Sequence, residues 1–328
     1  MSIRLKRAVT VLILGLVWMA PPGLAAQAAL YVSPSGSDQA NGLTPQEPLS
    51  TVQRAMDLAY QIGQKENPTH VRILIGKGEY KQQSIQAISP PTGVHIELLA
   101  ADEASGKPVF DGAGKGDTWF TLSGKTRPGA RFTITGLEIR NYRTAISLNG
   151  NRAKPDHYIT GGTLSRLTLR NIGQIAMPGK PLSTAAIRLV NAREITISDN
   201  QFIRIRNVQQ CGPLHAIYLA HHSSRNQIVG NTFDDLCGSP IRIRDASNHN
   251  LAAHNTFNQA EFESVFDEWY CDRSRNTKCT KTSGECPSWG NIYSDNKVEN
   301  SNPRAMAQPM AVRVKRVPPE CQARSGEK

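Results

Sequence analysis

An all-β chain wound into one parallel β-helix, a solenoid closed at its N-terminal end by a helix, is the architecture this sequence predicts, on three observations. A strand-like segment recurs at residues 132–139, 164–169, 195–202, 228–233, 251–257 and 292–298, and its copies align on Asn200, Asn231, Asn255 and Asn296. A second segment follows each copy, at 145–148, 186–189, 216–219, 240–243, 264–267 and 311–314, and the two kinds alternate in strict order. The connections vary in length, unlike the two-residue loops that join the strands of hairpin sandwiches. Neither segment can bury its apolar face alone, and stacking copies about 24 to 41 residues apart solves that.

In chain order, Arg4, Lys6 and Arg7 precede an apolar run at 8–20, and Pro21, Pro22, Gly23 and small residues follow through Ala28. This layout predicts a cleaved export signal over residues 1–28, followed by a single domain over 29–328. At about 1.5 Å per residue the apolar run falls short of the roughly 30 Å hydrocarbon core, so no membrane span is expected. The predicted location is periplasmic or secreted. The six cysteines all follow residue 28, and an even number in an oxidising compartment favours disulfides. The formal charge of +11 drops to about +8 once the signal is removed.

Ser50 opens a helical pattern through Tyr60, a capping helix at about 50–61, with Gln53 in the capping-box position and Val52, Ala55, Met56 and Ala59 on one face. In the second segments, Ile146, Ile187, Ile217, Ile241, Val265 and Val312 are expected to form an internal column. The four asparagines are expected to form a ladder of side-chain hydrogen bonds from turn to turn. Cys211 and Cys237 precede corresponding strands and so are placed to bridge adjacent coils. Residues 271–290 break the repeat and predict a disulfide-pinned loop over one rim. Cys271, Cys279, Cys286 and Cys321 allow three pairings, and their spacing lacks the close pairs typical of zinc sites.

The stretch Tyr31-Val-Ser-Pro-Ser-Gly-Ser-Asp38, then Asn41-Gly42, then Pro48-Leu-Ser-Thr51 before the helix, resembles the N-terminal end of right-handed parallel β-helix proteins of the pectate-lyase-like superfamily. Val71-Arg-Ile-Leu-Ile-Gly-Lys-Gly-Glu-Tyr80 is similar to their first coil, and the resemblance runs over roughly residues 30 to 315. It implies right-handed winding but no single reaction, because that superfamily includes polysaccharide lyases, glycoside hydrolases, uronate epimerases and noncatalytic adhesins.

The outward positions of the second segments read Ser147, Arg188, Tyr218, Arg242, Phe266 and Arg313. Stacked at the spacing of neighbouring strands, Arg188, Tyr218 and Arg242 make a ridge about 10 Å long, the span of two sugar units. An aromatic ring between two guanidinium groups suits a uronate polymer, although an ordinary solvated cation–π ladder has the same composition. His215 and the pair His221 and His222 bracket the same strand, Arg244 and Asp245 follow on the next coil, and His249 and His254 lie within forty residues of His215.

Abstracting a proton next to a carboxylate requires charge neutralisation and a base. We therefore expect His215, Tyr218 and Arg242 to be catalytic. Arg188, His221, His222, Arg244 and Asp245 are expected to bind substrate. Tyr218 or His215 would exchange the proton while Arg242 or Arg188 neutralises the uronate. The weak cluster Glu263, Phe266, Trp269 and Tyr270 could extend the sugar surface.

The expected function is β-elimination on an anionic polysaccharide by a monomer, with C5 epimerisation, glycoside hydrolysis or noncatalytic binding as alternatives. Hydrolysis needs two carboxyl groups, for which Asp234 and Asp235 are the candidates, but the Gly-His-Gly element of the polygalacturonase-like hydrolases is absent. No metal is assigned. Calcium, suggested by resemblance to calcium-dependent pectate lyases, would fall to Asp245, Asp267 and Glu268, which form no compact run of oxygen ligands. Nucleic acid is set aside because no reader motif accompanies the basic charge.

Overall fold

Alternating apolar residues give strands with one face to bury, and here each strand finds its neighbour one coil away. The computed structural model describes residues 27–114, 116–176, 178–260, 264–273, 276–279, 284–299 and 321. Residues 1–26 of the expected export signal, Glu263, and the last expected copy with Val312 and Arg313 lie outside these. The described residues pass in turn through three sheets of nine, eight and seven strands, in which sequential neighbours are parallel and come from successive coils. The protein is a parallel β-helix. Among the described residues no helix is long and apolar enough to cross a membrane.

Each coil has three strands where the sequence suggests two segments, because the first segment bends at its asparagine. The residue before the ladder position adopts a left-handed backbone: Asp199 (φ 56°), Gly230 (φ 69°), His254 (φ 56°) and Asp295 (φ 54°). Strand Thr196–Ser198 ends there and Gln201–Ile205 begins on the next face. The predicted ladder occupies this corner. Asn200 Nδ2 donates to Asn231 Oδ1 (2.9 Å), Asn231 Nδ2 to Asn255 Oδ1 (3.0 Å) and Asn255 Nδ2 to Asn296 Oδ1 (2.9 Å). Each of these oxygens also accepts a backbone N–H from the preceding asparagine at 3.0 Å.

A second amide ladder, Asn226, Asn250 and Asn291, stands at the corner entering the nine-stranded sheet. It has the same 24- and 41-residue steps as the first, a signal present in the sequence that the segment alignment overlooked.

Inside, Ile146, Ile187, Ile217 and Ile241 follow one another in register. Phe202, Phe233 and Phe257 stack with centroids 4.8 and 4.7 Å apart. The next coil corrects the predicted columns. Ile241 pairs with Phe266 rather than Val265, and Arg242 pairs with Asp267. A one-residue slip exchanges the two faces of a strand. Here the Phe266 ring goes inward, edge-on to Phe257 and 4.3 Å from Tyr293, while Val265, just before the strand, stays buried in the same apolar cluster.

The capping helix is Val52–Lys65, longer than predicted, and buries Val52, Ala55, Met56, Ala59 and Gly63. The first four belong to the same apolar cluster as the coils and plug the open end. Its cap is Thr51, not Ser50, because Asp38 accepts both the Thr51 N–H (2.9 Å) and its hydroxyl (2.7 Å), leaving Thr51 Oγ1 to accept from Arg54 N. Gln53 therefore does not close a capping box but bonds Asp57 and Gln86. Disulfides join Cys211 to Cys237, Cys271 to Cys279 and Cys286 to Cys321, which selects one of the three open pairings. Three such bonds fit an extracytoplasmic, oxidising location.

Asn231 is fully buried, and its side chain also serves Ile197 O. Asn231→Ala should lower stability by about 2–4 kcal/mol, since it strands buried donors and acceptors on two coils. Asn296→Ala, at the end of the ladder, should cost less. Urea unfolding followed by circular dichroism checks both.

Candidate functional site

Register brings the predicted ridge together on the seven-stranded sheet: Ser147, Arg188, Tyr218, Arg242 and Asp267 occupy adjacent strands in one line. Their surroundings differ. Arg242 Nη1 pairs with Asp267 Oδ2 at 2.9 Å, while its buried Nε has no hydrogen-bond partner among the described residues. Arg244 is held on both oxygens of Glu285, whose side chain is 1% exposed, and donates to Tyr218 Oη at 3.2 Å. Burial opposes its charge, but the Glu285 bond prevails and Arg244 stays firmly protonated. Arg188 forms no ion pair or side-chain hydrogen bond with the described residues. It is the ridge cation left without a carboxylate.

His215 opens strand His215–Ala220, is 2% exposed, and lies parallel to Tyr218 with ring centroids 5.8 Å apart. Its Nδ1 donates to Ser239 O at 2.7 Å, which leaves Nε2 as the lone-pair nitrogen, 3.5 Å from Arg242 Nη1. Burial first, and the Arg242 cation second, push its pKa down to about 3. The imidazole is neutral at ordinary pH.

The far end of the strand carries a second group. His221 and His222 both have left-handed backbones, a conformation suited to the tight corner. His221 Nδ1 bonds Asp245 Oδ2 at 2.5 Å, and Cys286 N donates to Asp245 Oδ1 at 3.1 Å. Burial would raise the Asp245 carboxyl, but the His221 bond and the Cys286 N–H outweigh it and hold the group below its usual range. The His222 N–H donates to Asp245 O.

Other predicted residues do not converge. His249 and His254 sit at the two corners bounding the nine-stranded strand Leu251–Ala253, away from Tyr218. Asp234 and Asp235 lie on the eight-stranded sheet, and Asp235 is paired with Arg206. The calcium ligands also separate. Adjacent residues on one strand face opposite ways, so Asp267 meets Arg242 outside while Glu268 lies opposite Ile243. Glu268 accepts from Tyr293 Oη at 2.6 Å, and burial raises its pKa despite that bond. With Asp245 and Asp267 each engaged by a basic side chain, this trio does not fit calcium.

Glu285 is the main residue that sequence reasoning missed. It comes from the 271–290 loop, where no repeat marks its position, and Cys271 N donates to it at 3.0 Å. Arg152 also approaches it, at 3.6 Å, from a loop four coils earlier in the chain. Trp269, 37% exposed, lies under Arg244 at 4.3 Å and near Arg242 at 5.3 Å. Of its predicted companions, Phe266 is in the core and Tyr270 bonds Asp272.

No family model and no curated protein matches the sequence. Solved structures do. An alginate lyase from Paenibacillus sp. strain FPU-7 superposes with a TM-score of 0.55 at 14% identity, covering 76% of each chain. The catalytic domain of a GH87 α-1,3-glucanase in complex with tetrasaccharides superposes with a TM-score of 0.52 at 15% identity, over 85% of this chain and 40% of that one. At these identities the likeness establishes the parallel β-helix, not the reaction.

A buried histidine with a depressed pKa stabilises the fold fully above its unfolded value of about 6.5. That contribution should fall by about 1.4 kcal/mol per pH unit as pH drops from 6.5 towards 3, because the unfolded chain takes up the proton first. His215→Gln should remove this component of the slope. Urea midpoints measured across the acid range for both proteins check it.

Proposed function

We propose that the protein is an exported polysaccharide lyase that cleaves a uronate-containing polymer by β-elimination on the ridge around Tyr218. The observation that carries this is the guanidinium of Arg188, unpaired among the described residues and in register beside a tyrosine whose oxygen accepts a bond from Arg244. Arg244 is fixed by the buried Glu285, so its donor is pre-aimed. Arg188 can meet a substrate carboxylate with both arms of its fork, and the exposed Trp269 offers a face for a neighbouring sugar ring. The likeness of the fold to an alginate lyase and an α-1,3-glucanase supports a carbohydrate substrate.

In the proposed reaction the C5–H bond breaks and its proton goes to the Tyr218 oxygen, acting as phenolate with Arg244 held on it. The electron pair becomes a C4–C5 double bond, the C4–O bond breaks, and the departing oxygen takes the abstracted proton from Tyr218, which returns to its starting state. Arg188 neutralises the uronate so that negative charge can develop beside it. Arg242, occupied by Asp267, orients the line rather than binding the carboxylate. His215 is a positioning residue: a base whose conjugate acid has a pKa of about 3 has little driving force for this proton, and its ring braces Tyr218 instead. His221, His222 and Asp245 shape the corner at the far end of strand His215–Ala220. The compartment is the periplasm or the exterior, as the three disulfides favour.

Incubation with alginate, polygalacturonate and glycosaminoglycans should raise the ultraviolet absorbance of an unsaturated uronate for one of them. Tyr218→Phe should lower turnover by about 10²–10⁴-fold with polymer affinity retained. Arg188→Ala should raise KM and weaken its dependence on salt. A flat trace across the panel would reject elimination on those polymers. Solvent deuterium entering C5 without a double bond would indicate epimerisation, and tight binding with no reaction a noncatalytic platform.

A further inference from the structure

On the outer face of the nine-stranded sheet, a sheet away from the ridge, we propose a binding site for a divalent transition-metal ion of the zinc class, made by His70, His95 and Glu97. Strand pairing puts His70 beside His95, and Glu97 follows two residues later on the same face. The two imidazole rings lie 5.0 Å apart. One carboxylate oxygen of Glu97 faces each ring: Oε2 is 3.5 Å from His70 Nδ1, and Oε1 is 4.0 Å from His95 Nε2. One donor atom from each residue falls within 4.8 Å of the others. Small side-chain rotations would bring all three to the roughly 2.0–2.2 Å ligand distances of zinc.

A second observation points to a ligand at the same place. His70 Nδ1 is shielded from solvent and forms no hydrogen bond with the described residues, although its side chain is 35% exposed overall. In the tautomer that carries its proton on Nε2, this nitrogen offers a lone pair to a cation held beside Glu97. Two imidazoles and one carboxylate favour zinc over calcium or magnesium, and they leave a coordination position for water. The site is built on two adjacent strands, so its geometry follows from register rather than from a loop.

The neighbouring groups set its limits. Arg72 Nε donates to Glu97 Oε2 at 3.2 Å, Thr133 Oγ1 lies 2.9 Å from His95 Nε2, and Arg131 is the register neighbour of His95. Metal binding exchanges the Arg72 and Thr133 contacts for coordination. The bound ion joins strands His70–Ile75 and His95–Ala100, next to the capped end of the solenoid.

The test is zinc chloride titration of the disulfide-intact protein by calorimetry, with cobalt(II) absorption reporting the ligand set and thermal melts reporting linkage to folding. One zinc per chain is expected, with a higher Tm. His70→Ala and His95→Ala should each weaken binding at least about tenfold. Glu97→Gln should do the same, whereas Arg72→Met, which frees the carboxylate, should bind at least as tightly as the parent. His221→Ala tests the other cluster of metal-binding side chains, His221, Asp245 and Glu285, and should leave zinc affinity unchanged. Absence of zinc binding, or binding lost in His221→Ala or kept in both His70→Ala and His95→Ala, overturns the assignment. Circular dichroism of each variant separates loss of the site from loss of the fold.

Discussion

The buried amide ladder at the corner after the nine-stranded sheet is the constraint on which the rest of the molecule rests. A carboxamide with no access to water must satisfy both its oxygen and its nitrogen inside the protein. Asn231 does so by giving a donor to the coil on one side and an acceptor to the coil on the other. That is possible only when the coils are stacked in one register. A slip would leave several buried polar groups unpaired at once, so the ladder selects the stacking as well as stabilising it. The second ladder through Asn226, Asn250 and Asn291 ties down the opposite end of the same short strands.

Everything proposed for the surface follows from that register. Inward isoleucines of the seven-stranded sheet are aligned by stacking, so the residues that alternate with them must be aligned outside, and Arg188, Tyr218 and Arg242 become neighbours. The same logic places His70 against His95 on another face. Side chains held by strand pairing lose little further freedom when a ligand arrives, which suits both recognition and catalysis.

Charge then differentiates a ridge that looks uniform in composition. Three guanidinium groups surround Tyr218, but Asp267 and Glu285 engage two of them. A buried arginine without a carboxylate would be costly, and Glu285, itself almost inaccessible, would be equally costly without Arg244. The pair is therefore mutually required, and it fixes the donor on the Tyr218 oxygen. Arg188, half-buried like the other two but unpaired among the described residues, keeps its charge available for an anionic ligand.

The sequence alone determined the solenoid, the order of its coils, the capping helix and the membership of the Arg–Tyr–Arg line. These depend on periodicity, and a repeated pattern of side-chain volume and polarity is legible without coordinates. Tertiary structure decided the rest. It bent each first segment into two strands, because a left-handed residue at the corner has no consistent sequence identity, occurring here as Asp199, Gly230 and His254. It turned Phe266 inward, because filling the core outweighs local alignment. It scattered the histidines that lie close in sequence onto different corners of the coil. It also delivered Glu285 from a nonrepeating, disulfide-closed loop to Arg244, a contact between residues 41 positions apart. Periodicity tells which residues share a face, but the pairing of charges across that face depends on distances that only the folded chain sets.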